Sequence, residues 1–127
     1  SMKEPVIKMR GVRGAITVDR DDKDEILTAT KELLGGLVDA NGIDVDDVAS
    51  VFFSMTPDLH AVFPAVAARE INWQMVPLFC TQELEIEGAL PLCVRVLIHW
   101  NTLKAPQEIK HLYLRGAKKL RPDLQGS

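Results

Sequence analysis

Only one stretch of this chain can form a long amphipathic helix, and that limits the fold more than any other feature. Ile26, Thr30, Leu33, Leu34, Leu37 and Val38 recur at a 3.6-residue period and make one apolar stripe. Asp21 and Asp22 precede the stripe as N-caps, Asp22 and Glu25 have capping-box spacing, and Asn41-Gly42 supplies a stop. Gly35 and Gly36 weaken the helix interior by about 1 kcal/mol each relative to alanine. Most of the remaining apolar pattern has the period of strands. Residues 6 to 18 alternate, with Val6, Val12, Ile16 and Val18 on one face and Ile7, Met9, Gly11, Arg13, Ala15 and Thr17 on the other. Residues 50 to 55 read as a buried strand, and residues 76 to 80 as a short one that Pro77 assigns to an edge. Residues 92 to 100 alternate most clearly, and residues 110 to 115 make a last strand. A short helical turn is expected at 44 to 48. Thr56-Pro57 should start a helical segment running to Glu70 and broken at Pro64 into two short pieces. The tail from Leu120 reads as a loose end. Five strands and one long helix predict an α+β fold. One helix cannot cover both faces of a five-stranded sheet, so the uncovered face is expected to meet another subunit.

Composition excludes several function classes. The chain has 127 residues, one domain's worth, so residues 1–127 are taken as a single domain with 1–5 and 125–127 as loose ends. A chain of this length can bury a core without disulfides or a structural metal. The formal charge of −3 provides no pervasive positive field for nucleic acid or an anionic membrane. The longest apolar run, residues 61 to 68, is too short to span a bilayer and contains Pro64. No apolar signal segment opens the chain, and Ser1 before Met2 reads as an expression scar, so a cytoplasmic protein is expected. Cys80 and Cys93 do not form a Cys-x-x-Cys pair. His60, His99 and His111 are not at metal-ligand spacing, so no zinc site is expected.

Two arginines stand out by position. Arg13 lies between Gly11 and Ala15 on one strand face, where small neighbours leave a hollow for a guanidinium. Arg95 lies mid-strand between Cys93 and Leu97, with Val94 and Val96 beside it in sequence, and needs a partner there. That partner is either a carboxylate such as Glu83, in a structural ion pair, or an anionic ligand gripped by the planar guanidinium fork. Cys80 reads as a small buried side chain rather than a nucleophile. Tyr113, the only tyrosine, shares a polar face with His111 and Arg115. His60 reads as a helix-end hydrogen-bonding residue. Gly35-Gly36 has no phosphate-loop pattern, which argues against nucleotide binding.

Several long motifs occur in a consistent order. They are residues 9 to 18 (MRGVRGAITV), 54 to 65 (SMTPDLHAVFPA), 68 to 70 (ARE), Trp73-Gln74, Val76-Pro77, Cys80-Thr81-Gln82-Glu83, Cys93-Val94-Arg95-Val96, 109 to 114 (IKHLYL) and 120 to 124 (LRPDL). Together they resemble the monofunctional, trimeric chorismate mutases of the AroH type over residues 9 to 124. The resemblance implies a cofactor-free isomerase that converts chorismate to prephenate in phenylalanine and tyrosine biosynthesis. It implies a mixed five-stranded sheet with one long helix, closed by three copies into a pseudo-barrel with active sites at the subunit interfaces. It places the substrate-binding residues at Arg13, Phe63, Arg69, Cys80, Glu83, Arg95, Tyr113 and Arg121, with Arg95, Glu83 and Arg13 closest to the chemistry. Arg13, Arg95 and Tyr113 are expected from one subunit and the segment around Phe63 and Cys80 from its neighbour; Glu83 is grouped with that segment, but the sequence leaves open which subunit supplies it. Two positions depart from the pattern: Phe79 stands where a relative has a hydroxyl residue, and Val66 where it has a lysine. The competing expectation is a trimeric metabolite-binding or regulatory module for a small dicarboxylate, with no turnover.

Overall fold

The computed structural model describes residues 4–120. The chain forms β1 (Lys8–Thr17), α1 (Lys23–Asn41), β2 (Val48–Met55), α2 (Ala65–Glu70), β3 (Leu78–Gln82), β4 (Cys93–Thr102) and β5 (Leu112–Leu114). Short 3₁₀ turns occupy Val45–Asp47, Pro106–Glu108 and Arg115–Leu120. The five strands make one mixed sheet in the order β3-β2-β4-β1-β5. β4 runs antiparallel to both β1 and β2, while β5 adds parallel to β1 and β3 parallel to β2. The α+β class and the five strands agree with the sequence reading. Pro77 precedes the edge strand β3, and its carbonyl accepts from Val51 N–H.

Strand alternation separates the two faces. Val12 and Ile16 of β1, Val94, Val96 and Ile98 of β4, and Val51 and Phe53 of β2 are buried against Ile26, Leu33, Leu34 and Leu37 of α1. Each such side chain contributes about 1.5–3 kcal/mol when fully buried, so this layer is the main source of stability. Thr30 sits in the apolar stripe without penalty because its hydroxyl donates to the Ile26 carbonyl at 2.7 Å. Gly14 faces the helix, where an added Cβ would come within 2.9 Å of Leu37 and 3.0 Å of Leu33. Its missing side chain lets α1 settle onto β1.

The helix starts as its sequence indicates, with the Asp22 carboxylate accepting from Glu25 N–H at 3.0 Å. The Glu25 carboxylate pairs with Arg20. Gly42 ends the helix in the left-handed conformation, φ 69°, and its N–H donates to Val38 O. The buried Asn41 side chain then ties the helix end to Lys110: its Nδ2 donates to the Lys110 carbonyl and its Oδ1 accepts from the Lys110 N–H. That tie sets the entry of the chain into β5.

Two expectations need correction. Residues 57 to 64 form turns, and only α2 is helical, with Pro64 at its N-cap position. Thr56 does not cap a helix. Its Oγ1 accepts from Cys93 N–H at 2.9 Å and donates to Asp58 at 2.6 Å, and Asp58 in turn accepts from Leu92 N–H. These tertiary bonds draw the residues of a first helical turn across to the start of β4. Secondly, the face away from α1 is not bare throughout. The 3₁₀ turn Arg115–Leu120 folds over one end of it, where Ala15, Cys93 and Ala117 are buried beside Tyr113 and Leu120. The chain therefore continues in ordered contact up to Leu120, where the sequence suggests a loose end. Arg121 lies outside the described residues.

Candidate active site

The rest of that second face is open, and the residues singled out by position gather there. Arg13 on β1 stands opposite Leu97 of β4, and Arg95 lies two residues back along β4, opposite Ala15. The two guanidinium-bearing positions are therefore diagonal neighbours on one face. Tyr113 on β5 is registered against Ala15, which brings it to the same hollow. Arg13, Arg95 and Tyr113, with Phe52, Ser54 and Thr81, line a cavity of about 210 Å³. Gly11 flanks Arg13 on this face, and an added Cβ would only touch Leu97 at 3.4 Å. The Arg13 backbone N–H donates to His111 Nδ1 at 3.0 Å, fixing β1 to the segment before β5.

Arg95 has the partner that its strand position demands. Its Nε lies 3.2 Å from Glu83 Oε2, with side-chain exposures of 45% and 30%. Ser54 Oγ donates to the same carboxylate oxygen at 2.7 Å. Glu83 N–H donates to Met55 O at 2.8 Å, which carries the ladder of β2 and β3 one residue beyond β3. Glu83 thus meets Arg95 within one chain, while Phe63 and Cys80, with which the sequence reading grouped it, line a different hollow. The two readings of Arg95 prove compatible. The Arg95 guanidinium lines the cavity with an acid at its Nε, and it also interacts with Cys93 beside it on the strand.

Phe63 and Cys80 lie elsewhere. They line a second and larger cavity of about 610 Å³ with Met55, Leu59, His60, Pro64 and Thr81. Thr81, on the edge strand β3, borders both hollows. Phe63 is 68% exposed, unusual for a phenylalanine. Its loop is held by Asp21, whose Oδ1 accepts from the N–H groups of His60 and Ala61, while His60 Nδ1 lies 3.1 Å from Asp21 Oδ2. Arg69 on α2 borders neither hollow but lies close enough to Cys80 for its charge to act on the thiol.

Burial pushes the Cys80 thiol above its ordinary range. The Ala65 N–H and the Arg69 charge pull the other way without overcoming it. Burial also raises Cys93, to about 11, with Arg95 opposing. Neither thiol is activated as a nucleophile. Cys80→Ser is accordingly expected to keep kcat within about tenfold of the parent, the scale of one altered hydrogen bond. Iodoacetamide at neutral pH should label Cys80 slowly. A loss of activity as deep as that of an arginine variant would give the sulfur a chemical role.

Ser54, Thr81 and Asp58 were not singled out from the sequence, and Asp21 was read only as a helix cap. The motif at residues 54 to 65 contains Ser54 and Asp58, but nothing local shows that Ser54 meets Glu83 or that Asp58 meets Leu92.

A sheet that turns two arginines and a tyrosine outward beside one fixed carboxylate is the frame of a protein that handles small organic anions. The chain belongs to the Chorismate mutase type I family, which matches residues 9–124. It is 47% identical to Chorismate mutase AroH of Bacillus subtilis (strain 168) over 91% of this chain and 92% of that protein. It is 46% identical to Chorismate mutase AroH of Thermus thermophilus over 94% of this chain and 98% of that protein. A solved chorismate mutase from Clostridium thermocellum superposes with a TM-score of 0.86 at 44% identity, covering 87% of this chain and 98% of that one.

Proposed function

We propose that the open sheet face binds chorismate and rearranges it to prephenate, and that three copies of the chain close into a pseudo-barrel with one site at each interface. The observation that carries this reading is the Arg95–Glu83 pair, with Arg95 lining one cavity beside Arg13 and Tyr113.

The reaction is an intramolecular rearrangement in which a carbon–oxygen bond breaks as a carbon–carbon bond forms. No proton is transferred and no covalent enzyme intermediate is needed, so unactivated cysteines are no obstacle. The substrate carries two carboxylates, an ether oxygen and a ring hydroxyl. Its enolpyruvyl arm must be held folded over the ring, which lowers the barrier by orientation. Negative charge then grows on the ether oxygen and has to meet a fixed donor. Arg95 supplies that donor from a rigid strand. Arg13 and Tyr113 anchor carboxylates beside it, with Arg121 a further anchor. Glu83 accepts the ring hydroxyl's hydrogen bond. Phe63 and the Cys80 segment of the neighbouring subunit supply the opposite wall, with Arg69 at its rim. The exposed Phe63 and the separation of the two hollows within one chain support a site completed by a second copy.

The test is loss of chorismate absorbance with matching formation of prephenate on adding purified protein. The rate should be unchanged after dialysis against a chelator. Saturable binding of chorismate without consumption would replace this reading with the non-catalytic module.

A further inference from the structure

We propose that Ser54 is a positioning residue for the reaction, holding the Glu83 carboxylate in the rotation that presents its second oxygen to substrate. The proposal rests on the reading of the open face as the chorismate site. Ser54 lies on β2 directly opposite Arg95 of β4 and opposite Thr81 of β3, so its side chain stands on the open face between the two strands. Its hydroxyl donates to Glu83 Oε2 at 2.7 Å, and Arg95 Nε approaches that same oxygen at 3.2 Å. Two donors from adjacent strands converge on one oxygen and fix the carboxylate's rotation. Oε1 is then the oxygen presented to a ligand hydroxyl.

Carboxylates and guanidinium groups prefer to meet in a two-point fork, with both oxygens on two parallel N–H donors. A half-exposed Glu83 carboxylate free to turn would take that geometry and occupy both of its oxygens. Ser54 opposes it by claiming Oε2 from the β2 side, so Oε1 stays available to the substrate's hydroxyl.

The test uses the full-length protein. Turnover of chorismate by the parent is measured first; its absence would remove the functional reading itself. With turnover established, Ser54→Ala should lower kcat about tenfold with a smaller change in KM, the scale of one lost hydrogen bond to a charged group. Ser54→Thr retains the hydroxyl on a residue suited to a strand and should restore most of kcat. In a Glu83→Ala background, Ser54→Ala should cost nothing further, because it acts through that carboxylate. An unchanged kcat in Ser54→Ala, a full tenfold loss repeated in the Glu83→Ala background, or a fall in melting temperature that tracks the activity loss and is not rescued by threonine would each overturn the proposal.

Discussion

Arg95→Ala is expected to lower kcat at least about 10²-fold, the effect of removing one preorganised donor from a site of charge development. Structure separates this from a folding defect. The Arg95–Glu83 contact is partly exposed on both sides, and ion pairs of that kind are worth at most about 1 kcal/mol. A hundredfold rate loss corresponds to about 2.7 kcal/mol, more than the pair can contribute to stability. The variant should therefore melt near the parent while turning over far more slowly. Arg95→Lys should recover little, because an ammonium on a flexible stem cannot hold Glu83 through one nitrogen and offer a planar pair of donors to the substrate. If kcat and melting temperature fall together in both variants, Arg95 is a structural residue and the charge-stabilising role is wrong.

Mixing two inactive variants should restore activity, but only for the right pair. If neighbouring copies of the trimer share each site as proposed, Phe63→Asp puts a carboxylate against the dianionic substrate, and Arg95→Ala removes the donor. Each homotrimer should be nearly inactive. Unfolded and refolded together at equal amounts, they should recover about a quarter of parental activity, because a cyclic interface joins one patch of each chain to a different patch of the next. Random assembly then gives some sites an intact arginine from one chain and an intact phenylalanine from another. The pairing of Glu83 with Arg95 inside one chain supplies the contrast. Arg95→Ala mixed with Glu83→Ala should recover nothing, since every arginine face carries one defect or the other. Equal recovery from both mixtures, or none from either in mixed trimers confirmed by mass, would sink the shared-site arrangement.

What could be read from the sequence follows the range of the interactions responsible. The α1 stripe and its Asp22 and Gly42 ends depend on neighbours within a turn or two, and they appear where the periodicity puts them. The same holds within β1 and within β4, where a two-residue period sets Arg13 and Arg95 apart from the buried residues of each strand; the register of the two strands then puts them on one face. The turns at residues 57 to 64 did not follow the local signal, because bonds from Asp21, and from Thr56 and Asp58 to the start of β4, decide their path. Glu83 is similar. Its side chain is assigned by Ser54, on a strand far back in the sequence, and no spacing rule connects the two. The cover that Arg115–Leu120 places over Ala15 and Cys93 was hidden for another reason: residues 115 to 120 are too short and too charged to show an amphipathic period. Of the residues that the family resemblance names, Arg13, Arg95 and Tyr113 line one cavity, while the contact of Glu83 with Arg95 inside one chain was not legible from it.

The sheet order also governs how the chain comes into being. β1 is made first, yet both of its partners, β4 and β5, come late; Arg13 and His111, which join across that seam, are 98 positions apart. At a synthesis rate of roughly 5–20 residues per second, the first strand waits seconds with both edges unpaired. Meanwhile β2 and β3 can already pair through the short α2 crossover. The nascent chain thus carries a strand with Met9, Val12, Ala15 and Ile16 uncovered, which must neither collapse nor pair with another copy before its partners emerge. Lys8, Arg10 and Arg13 stud that strand with positive charge, which discourages self-association during the wait. Arg13 would then serve twice, first as a guard against aggregation on the ribosome and later as a ligand anchor.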